Sequence, residues 1–248
     1  METLLFNILD RVDSTNNYAM ARVHEGLAMH GQAWFAYHQE KGKGQRGRSW
    51  QSNPGENLIL SVSVRPPAGY DISKFHFHAL VSLAVAEFLE AECGPAISIK
   101  WPNDLYVGDR KAGGILIENV LQGSDWKWSV MGFGINLNQQ SFPAPVPNAV
   151  SLGQITGKRY DALSLAKKLH LHILQVIDSA PRTTQGKAEL IAAFNNKLYR
   201  RGSKIRLRSG TRVFEPLLKE VDEYGRLVIT DVFDSAFSHG DVEWISLQ

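Results

Sequence analysis

Apolar residues recur along this chain at two spacings, every second position and every third or fourth, and the switches between them mark its elements. The first run, 4–9, predicts a short strand. Asp13-Ser-Thr-Asn16 then precedes Tyr18, Ala19, Ala21 and Val23, which predicts a helix to about Glu25 capped by Asp13 or Ser14. Residues 32–39 read as a largely buried strand, and 57–64 as an alternating strand stopped by Pro66-Pro67. Phe75, Leu80, Leu83, Ala84 and Leu89 predict a helix over 73–92 that ends before Gly94-Pro95. His76 and His78 stand two apart in it, so they do not share a face and make a poor metal pair.

Residues 97–101 alternate as a strand should, and Pro102-Asn103-Asp104 breaks them. Leu105-Tyr-Val, Gly108-Asp109 and Arg110-Lys-Ala predict a hairpin with a two-residue turn, which would fold Lys111 back toward Asn103 and Asp104. Gly113-Gly114 interrupts the returning strand, where glycine often marks close approach of a ligand or backbone. A strand over 126–138 follows, thinned by Gly132 and Gly134 before Asn136. Three prolines make 142–148 a loop, and helices follow over 161–177 and 184–198. From Gly202 the texture changes to short strands with turn signals at Ser209-Gly210 and Tyr224-Gly225. They predict a small β-barrel domain over 202–248 beside a larger domain over 1–200.

One stretch fits neither spacing. Glu40-Lys-Gly-Lys-Gly-Gln-Arg-Gly-Arg-Ser-Trp50 holds three glycines, four basic side chains and one tryptophan in eleven positions. Bare N–H groups in glycine-rich turns form anion-binding concavities, and Lys41, Lys43, Arg46 and Arg48 add full charges. The stretch suits a loop that wraps an anionic small molecule, or a flexible solvated loop. Ordering it costs roughly 1–2 kcal/mol per residue, so it should be mobile when empty. Ser14 likewise suits a plain helix cap or, with Thr15, a pair of hydroxyls facing a polar ligand. On local pattern alone Asp104 and Lys111 suit an ordinary turn.

Composition narrows the class. At 44% hydrophobic and 21% charged the chain is an ordinary globular protein, and a net charge of +2 does not by itself argue for nucleic acid. The clustered basic residues, six tryptophans and short terminal strands keep a single-strand-binding module open as an alternative. The single cysteine, Cys93, excludes an intrachain disulfide and reads as a buried, inert thiol near a helix end. No run approaches the roughly 20 apolar residues of a membrane span, and the first residues lack the pattern of a signal peptide. A cytoplasmic protein is expected.

Gly42-Lys-Gly-Gln-Arg-Gly-Arg-Ser-Trp50 resembles the Gly-Arg-Gly-Arg-x-Gly-Arg-x-Trp signature of biotin protein ligases. Asp13-Ser-Thr-Asn16 upstream, and Lys100-Trp-Pro-Asn-Asp-Leu-Tyr106 with Arg110-Lys-Ala-Gly-Gly-Ile-Leu-Ile-Glu118 downstream, resemble two further blocks in the family's order. The likeness is strong to about residue 138 and weak beyond about 200. It departs at Lys43 and Gln45, where the family has arginines. The resemblance implies an α+β fold: a mixed, mainly antiparallel sheet with flanking helices, like the class II synthetase and biotin/lipoate ligase catalytic domain, plus a C-terminal SH3-like barrel. It implies activation of biotin by ATP and Mg²⁺ to biotinyl-5′-AMP with release of pyrophosphate, then transfer to a lysine of a biotin carboxyl carrier protein domain. The first block begins at Asp13, which leaves no room for the N-terminal helix-turn-helix of some members, so operator binding is not expected. A homodimer is an open expectation.

By the same resemblance, Ser14 and Thr15 hydrogen-bond the ureido ring of biotin, Gln39 is a wall of its site, Asn16, Gly42, Lys43, Gly44 and Gln45 also bind it, and Gly114 and Ile115 line its cleft. Arg46 and Arg48 meet the ATP phosphates, Trp50 packs near adenine, Asn136 contacts adenine, and Asn103 orients the incoming amine or the nucleotide. Asp104 holds Mg²⁺ or the ribose-phosphate region, and Lys111 contacts the biotin carboxylate and the α-phosphate as the adenylate forms. Lys111, Arg46, Arg48 and Asp104 form the implied catalytic set. If the family arginine replaced by Gln45 helps retain the adenylate, this chain releases it more freely unless Arg46 substitutes. A lipoate-type ligase shares the architecture and is the nearest alternative. A Walker-type nucleotidase is disfavoured, because the loop lacks that motif's Gly-Lys-Ser/Thr ending.

Overall fold

The computed structural model describes residues 5–142, 148–231 and 235–245. The chain runs through β1 (Phe6–Val12), α1 (Thr15–His24), β2 (Gln32–Gln39), a small hairpin of β3 (Gly42–Lys43) and β4 (Ser49–Trp50), β5 (Asn57–Val64) and α2 (His76–Cys93). Then come β6 (Ser98–Lys100), β7 (Asp104–Val107), β8 (Arg110–Gln122), β9 (Asp125–Asn136), α3 (Leu152–Thr156), α4 (Ala162–Asp178) and α5 (Thr184–Asn196). Among the described residues, seven strands form one sheet in the order β1-β2-β5-β9-β8-β7-β6. The β1–β2 pair is parallel and the other neighbours are antiparallel. This is the expected mixed, mainly antiparallel α+β architecture. Of the loop expected over 142–148, positions 143–147 lie outside the described residues.

The central strand β5 shows how the sheet positions a site. Its alternation is as read: Leu58, Leu60, Val62 and Val64 enter the main core. Yet Asn57, Ser61 and Ser63 on the other face are also buried. The reason is that β5 lies between two layers, with α4 on one side and α1 on the other. The main core is covered by α2, packed against α4 and α5. This makes α2 buried on most sides, with Phe77, Leu80, Leu83, Val85, Phe88 and Leu89 all enclosed. On the opposite face, Ala19 and Val23 of α1 meet Trp34 and Val130 in a second, small core. Burying a polar strand face between helix and sheet leaves its hydroxyls only protein partners, so they form a network.

The C-terminal strands β10 (Arg206–Ser209), β11 (Arg212–Phe214), β12 (Leu217–Val221), β13 (Leu227–Thr230), β14 (Ser235–Phe237) and β15 (Glu243–Ile245) differ from the closed barrel that was implied. Among the described residues they form two three-stranded sheets, β11-β10-β15 and β12-β13-β14. Strands of three to five residues make short ladders, and among the described residues the two sheets are joined at the isolated pair Lys204↔Leu217 and the backbone hydrogen bonds around it. These sheets are not independent of the larger one. Ile205, Leu207, Leu218, Leu227 and Ile229 belong to the same continuous core as β5 and α2. Asn195 at the end of α5 clasps the Val221 backbone, its amide donating to the carbonyl at 2.8 Å and its carbonyl accepting from the N–H at 2.7 Å.

Candidate active site

The N-terminus of α1, the β3–β4 hairpin and the start of β7 and β8 converge on one cleft of about 1160 Å³. Its polar end is built on α1. Ser14 caps the helix, accepting from the Asn17 N–H, and Ser14, Thr15 and Asn16 are all buried. Gln39, at the end of β2, accepts at Oε1 from both the Thr15 N–H (2.8 Å) and the Thr15 hydroxyl (3.0 Å). Both contacts use the Gln39 carbonyl, so its Nε2 remains a donor. Ser61 of β5 lies 2.8 Å from Thr15 Oγ1 and 2.6 Å from Asn16 Oδ1, and the Asn16 amide donates to Glu118 at 2.9 Å. The cleft thus ends in aligned donors and acceptors.

The glycine-rich stretch is a short hairpin rather than a loop without secondary structure. Gly42 pairs with Trp50 and Lys43 with Ser49, and the Gly44 N–H donates to the Arg48 carbonyl at 2.7 Å. Arg46 at its tip has a φ of 55°, and its guanidinium packs on Gly240 in the C-terminal segment. The Trp50 indole lies on Gly134 of β9. A Cβ at Gly134 would come within 2.6 Å of the ring, so only glycine admits this approach. Gln45 Oε1 and Trp50 Nε1 are buried without a hydrogen-bond partner among the described residues, which suits contacts to a ligand.

Lys111 reaches the cleft through the predicted hairpin: Val107 pairs with Arg110 across Gly108-Asp109. Its Nζ lies 2.6 Å from Asp104 Oδ1 and 5.9 Å from the centre of the Trp50 ring. Its backbone is held by the Asn148 carbonyl (2.7 Å) and the Val150 N–H (2.9 Å). Asn103 also borders the cleft, but its amide donates to the Ile115 carbonyl at 2.5 Å, which pins the turn to β8. Behind the turn, the His78 ring stacks on Phe75 and its Nε2 lies 3.0 Å from the Pro102 carbonyl.

The structure brings Ser14, Thr15, Asn16, Gln39, Lys43, Gly44, Gln45, Arg46, Arg48, Trp50, Asn103, Asp104, Lys111, Gly114 and Ile115 to this one cleft. Two expected residues stand apart. Gly42 borders a neighbouring cavity under the hairpin. Asn136 is a correction: it is buried and absent from the cleft wall, and its amide donates to the Val150 carbonyl at 3.2 Å and lies 3.4 Å from that of Lys111. It braces the Lys111 backbone instead of facing the cleft.

The cleft is cationic. Burial, then the nearby Lys111 and Arg48, push the Lys100 ammonium below the usual lysine range, with Asp104 opposing. Burial, then Arg46 and Arg48, push His239 down as well. Such a site attracts anions. Among the described residues no group of three or more His, Cys, Asp or Glu could hold a metal alone. Asp104 offers one hard oxygen donor, which fits Mg²⁺ because that ion takes few protein ligands alongside substrate phosphates and water.

Ser61, Lys100, Glu118 and the C-terminal Arg208, His239 and Trp244 also line or support the cleft and were not singled out from sequence. Lys100 and Glu118 stood inside quoted blocks, and the serines of β5 were a visible polar alternation. Nothing local marked the C-terminal residues.

Comparison with known proteins agrees with this geometry. Residues 8–136, just over half of the chain, match the profile of the Biotin/lipoate A/B protein ligase family. Over 141 residues the chain is 36% identical to the bifunctional ligase/repressor BirA of Escherichia coli, covering 57% of this chain and 43% of that protein. It therefore spans less than half the length of that relative. It is 30% identical to the biotin–[acetyl-CoA-carboxylase] ligase of Paracoccus denitrificans, over 90% of this chain and 92% of that one. The biotin protein ligase from Aquifex aeolicus, solved in complex with biotin and ATP, superposes with a TM-score of 0.78 at 28% identity, covering 96% of this chain and 97% of that one. The chain belongs to the Biotin/lipoate A/B protein ligase family.

Proposed function

We propose that this protein is a biotin protein ligase that makes biotinyl-5′-AMP from biotin and ATP and passes the biotinyl group to a lysine of a biotin carboxyl carrier domain. The observation that carries the reading is the shared cleft: a hydrogen-bonding end at Thr15, Asn16 and Gln39, and a Lys111–Asp104 pair under a cationic hairpin. A cyclic urea needs donors and acceptors at the inner end, while its carboxylate needs cations at the other. The apolar dithiolane of lipoate would offer no partner to the Gln39 Nε2 donor, at a cost of about 1–3 kcal/mol.

In the first step a biotin carboxylate oxygen attacks the α-phosphorus of ATP and the bond to pyrophosphate breaks. Two anions must meet, so the chief demand is charge compensation and positioning. Lys111, whose flexible ammonium can follow charge between oxygens, sits between the carboxylate and the α-phosphate. Arg46 and Arg48 face the phosphates, and Trp50 covers the nucleotide side and excludes water. Mg²⁺, held by Asp104 with the phosphates, would offset further phosphate charge. In the second step the carrier lysine amine attacks the acyl carbonyl and AMP leaves. In this reading residues 1–200 form the catalytic unit, and 202–248 a smaller module that supplies one rim of the cleft.

Incubation with biotin, ATP, Mg²⁺ and a carrier domain, followed by avidin detection, tests the function. Labelling that requires all four components is expected. Titration calorimetry with biotin and with lipoate distinguishes the two ligands, and tighter lipoate binding would overturn the assignment.

A further inference from the structure

Glu118 closes the block that begins at Arg110, yet the chemistry above leaves it without a role. Its half-buried carboxylate is shared between two elements. Oε2 accepts from Asn16 Nδ2 at 2.9 Å, and Oε1 lies 3.4 Å from Lys43 Nζ. Asn16 belongs to the polar end of the cleft, and Lys43 to the glycine hairpin that covers it.

A carboxylate only accepts hydrogen bonds, so Glu118 decides which way the Asn16 amide faces. With Nδ2 turned to Glu118, Asn16 Oδ1 takes the Ser61 hydroxyl at 2.6 Å, and Ser61 lies in turn 2.8 Å from Thr15 Oγ1. The packing leaves Asn16 little other freedom, since Gly132 runs directly beneath its side-chain oxygen, where even a Cβ would overlap it. The same carboxylate anchors the hairpin through Lys43, at one of the positions where the chain departs from the family arginines.

We propose that Glu118 is a positioning residue that couples the polar end of the cleft to the hairpin: one carboxylate orients Asn16 and tethers Lys43. A ligand that holds Asn16 in its observed orientation thereby keeps Glu118 in place to receive the hairpin, and a closed hairpin reinforces the orientation of Asn16. The inference rests on the biotin ligase reading above.

The test measures biotin KM and kcat for pyrophosphate release, with biotin affinity by calorimetry, in wild type, Glu118→Gln, Glu118→Leu, Lys43→Met and the Glu118→Leu/Lys43→Met double variant. Glu118→Leu removes both contacts and should raise the biotin KM about tenfold or more, with kcat at saturating biotin within about threefold. Glu118→Gln keeps an acceptor for Asn16 and loses only the charge facing Lys43, so its KM should rise about two- to threefold. Lys43→Met should have a similar small effect in wild type and a smaller one once Glu118 is leucine, because the part of its effect that runs through Glu118 is then gone. An unchanged KM in Glu118→Leu, or an equal Lys43→Met effect in both backgrounds, overturns the proposal. If melting shows that Glu118→Leu does not fold, the same cycle is run on Glu118→Gln. A wild type that binds no biotin refutes the ligase reading itself, whereas one that binds biotin with no loss in these variants refutes only the role of Glu118.

Discussion

The Lys111 ammonium and Asp104 Oδ1 lie 2.6 Å apart because their hairpin is irregular. The strands pair Asp104 with Gly114 and Leu105 with Gly113, then skip Ala112 so that Tyr106 faces Lys111. Side chains alternate faces along a strand, so in unbroken register Ala112 would face Tyr106 and Lys111 would point away from Asp104. The bulge turns Lys111 into the cleft and leaves Ala112 in the core.

Removing that ammonium should leave the fold intact and cripple the first step. Loss of a charge-assisted contact costs about 1.5–3 kcal/mol, so Lys111→Ala should lower pyrophosphate release by roughly 10- to 150-fold or more. Wild-type turnover in a folded Lys111→Ala protein would take the residue out of the mechanism.

The hairpin depends on Gly134. Gly134→Ala places a methyl within 2.6 Å of the Trp50 ring and should lift the hairpin from β9. Trypsin should then cut faster after Arg46 or Arg48, and the KM for ATP should rise. Identical digestion patterns would mean that the indole does not hold the hairpin down.

Ser61 bridges Thr15 and Asn16 inside the sheet. Ser61→Ala takes the hydroxyl donor from the buried Asn16–Thr15 pair and should weaken biotin binding by about 1–3 kcal/mol, with ATP affinity nearly unchanged. Calorimetry with each ligand separates the two effects, and equal losses for both would point to general unfolding.

Stability should fall on the acid side. Burial pushes the His78 imidazole from 6.5 down to about 4, against a weaker opposing effect of the Pro102 carbonyl. The unfolded chain therefore binds this proton near pH 6.5 and the folded chain only near 4, so the stability is complete above 6.5 and lost as pH drops toward 4. The contribution is at most roughly 3 kcal/mol. Burial lowers His170 in the same direction. Urea midpoints at pH 7 and pH 5 should differ less in His78→Gln than in wild type, even if that variant is weaker at both. A steeper dependence would contradict the burial argument.

Elements with a long period were legible. The helices around Leu80 and Leu169, the strands around Phe35 and Leu60, and the Gly108-Asp109 turn all stand where the pattern placed them. Short or long-range features were not. The five-residue α3 is too brief to show a period, and Gly113-Gly114 lies within a continuous 13-residue strand instead of breaking it. The family resemblance implied a ligand contact for Asn136, but its partners are backbone carbonyls from the distant Val150 and from Lys111.

Which side chains are candidates for the site was written in the order of residues: glycines beside cations at 42–48, hydroxyls at a helix start, and a lysine after a two-residue turn. Those signals are local, and local preferences act wherever the residues stand. Which of them share a cleft was decided only by folding. A skipped residue at Ala112 chose the face of Lys111, burial of both faces of β5 recruited Ser61, and packing against the C-terminal sheets brought His239 and Gly240 to the hairpin tip. Each depends on contacts between segments far apart in the chain, where register and burial outweigh what any one segment prefers.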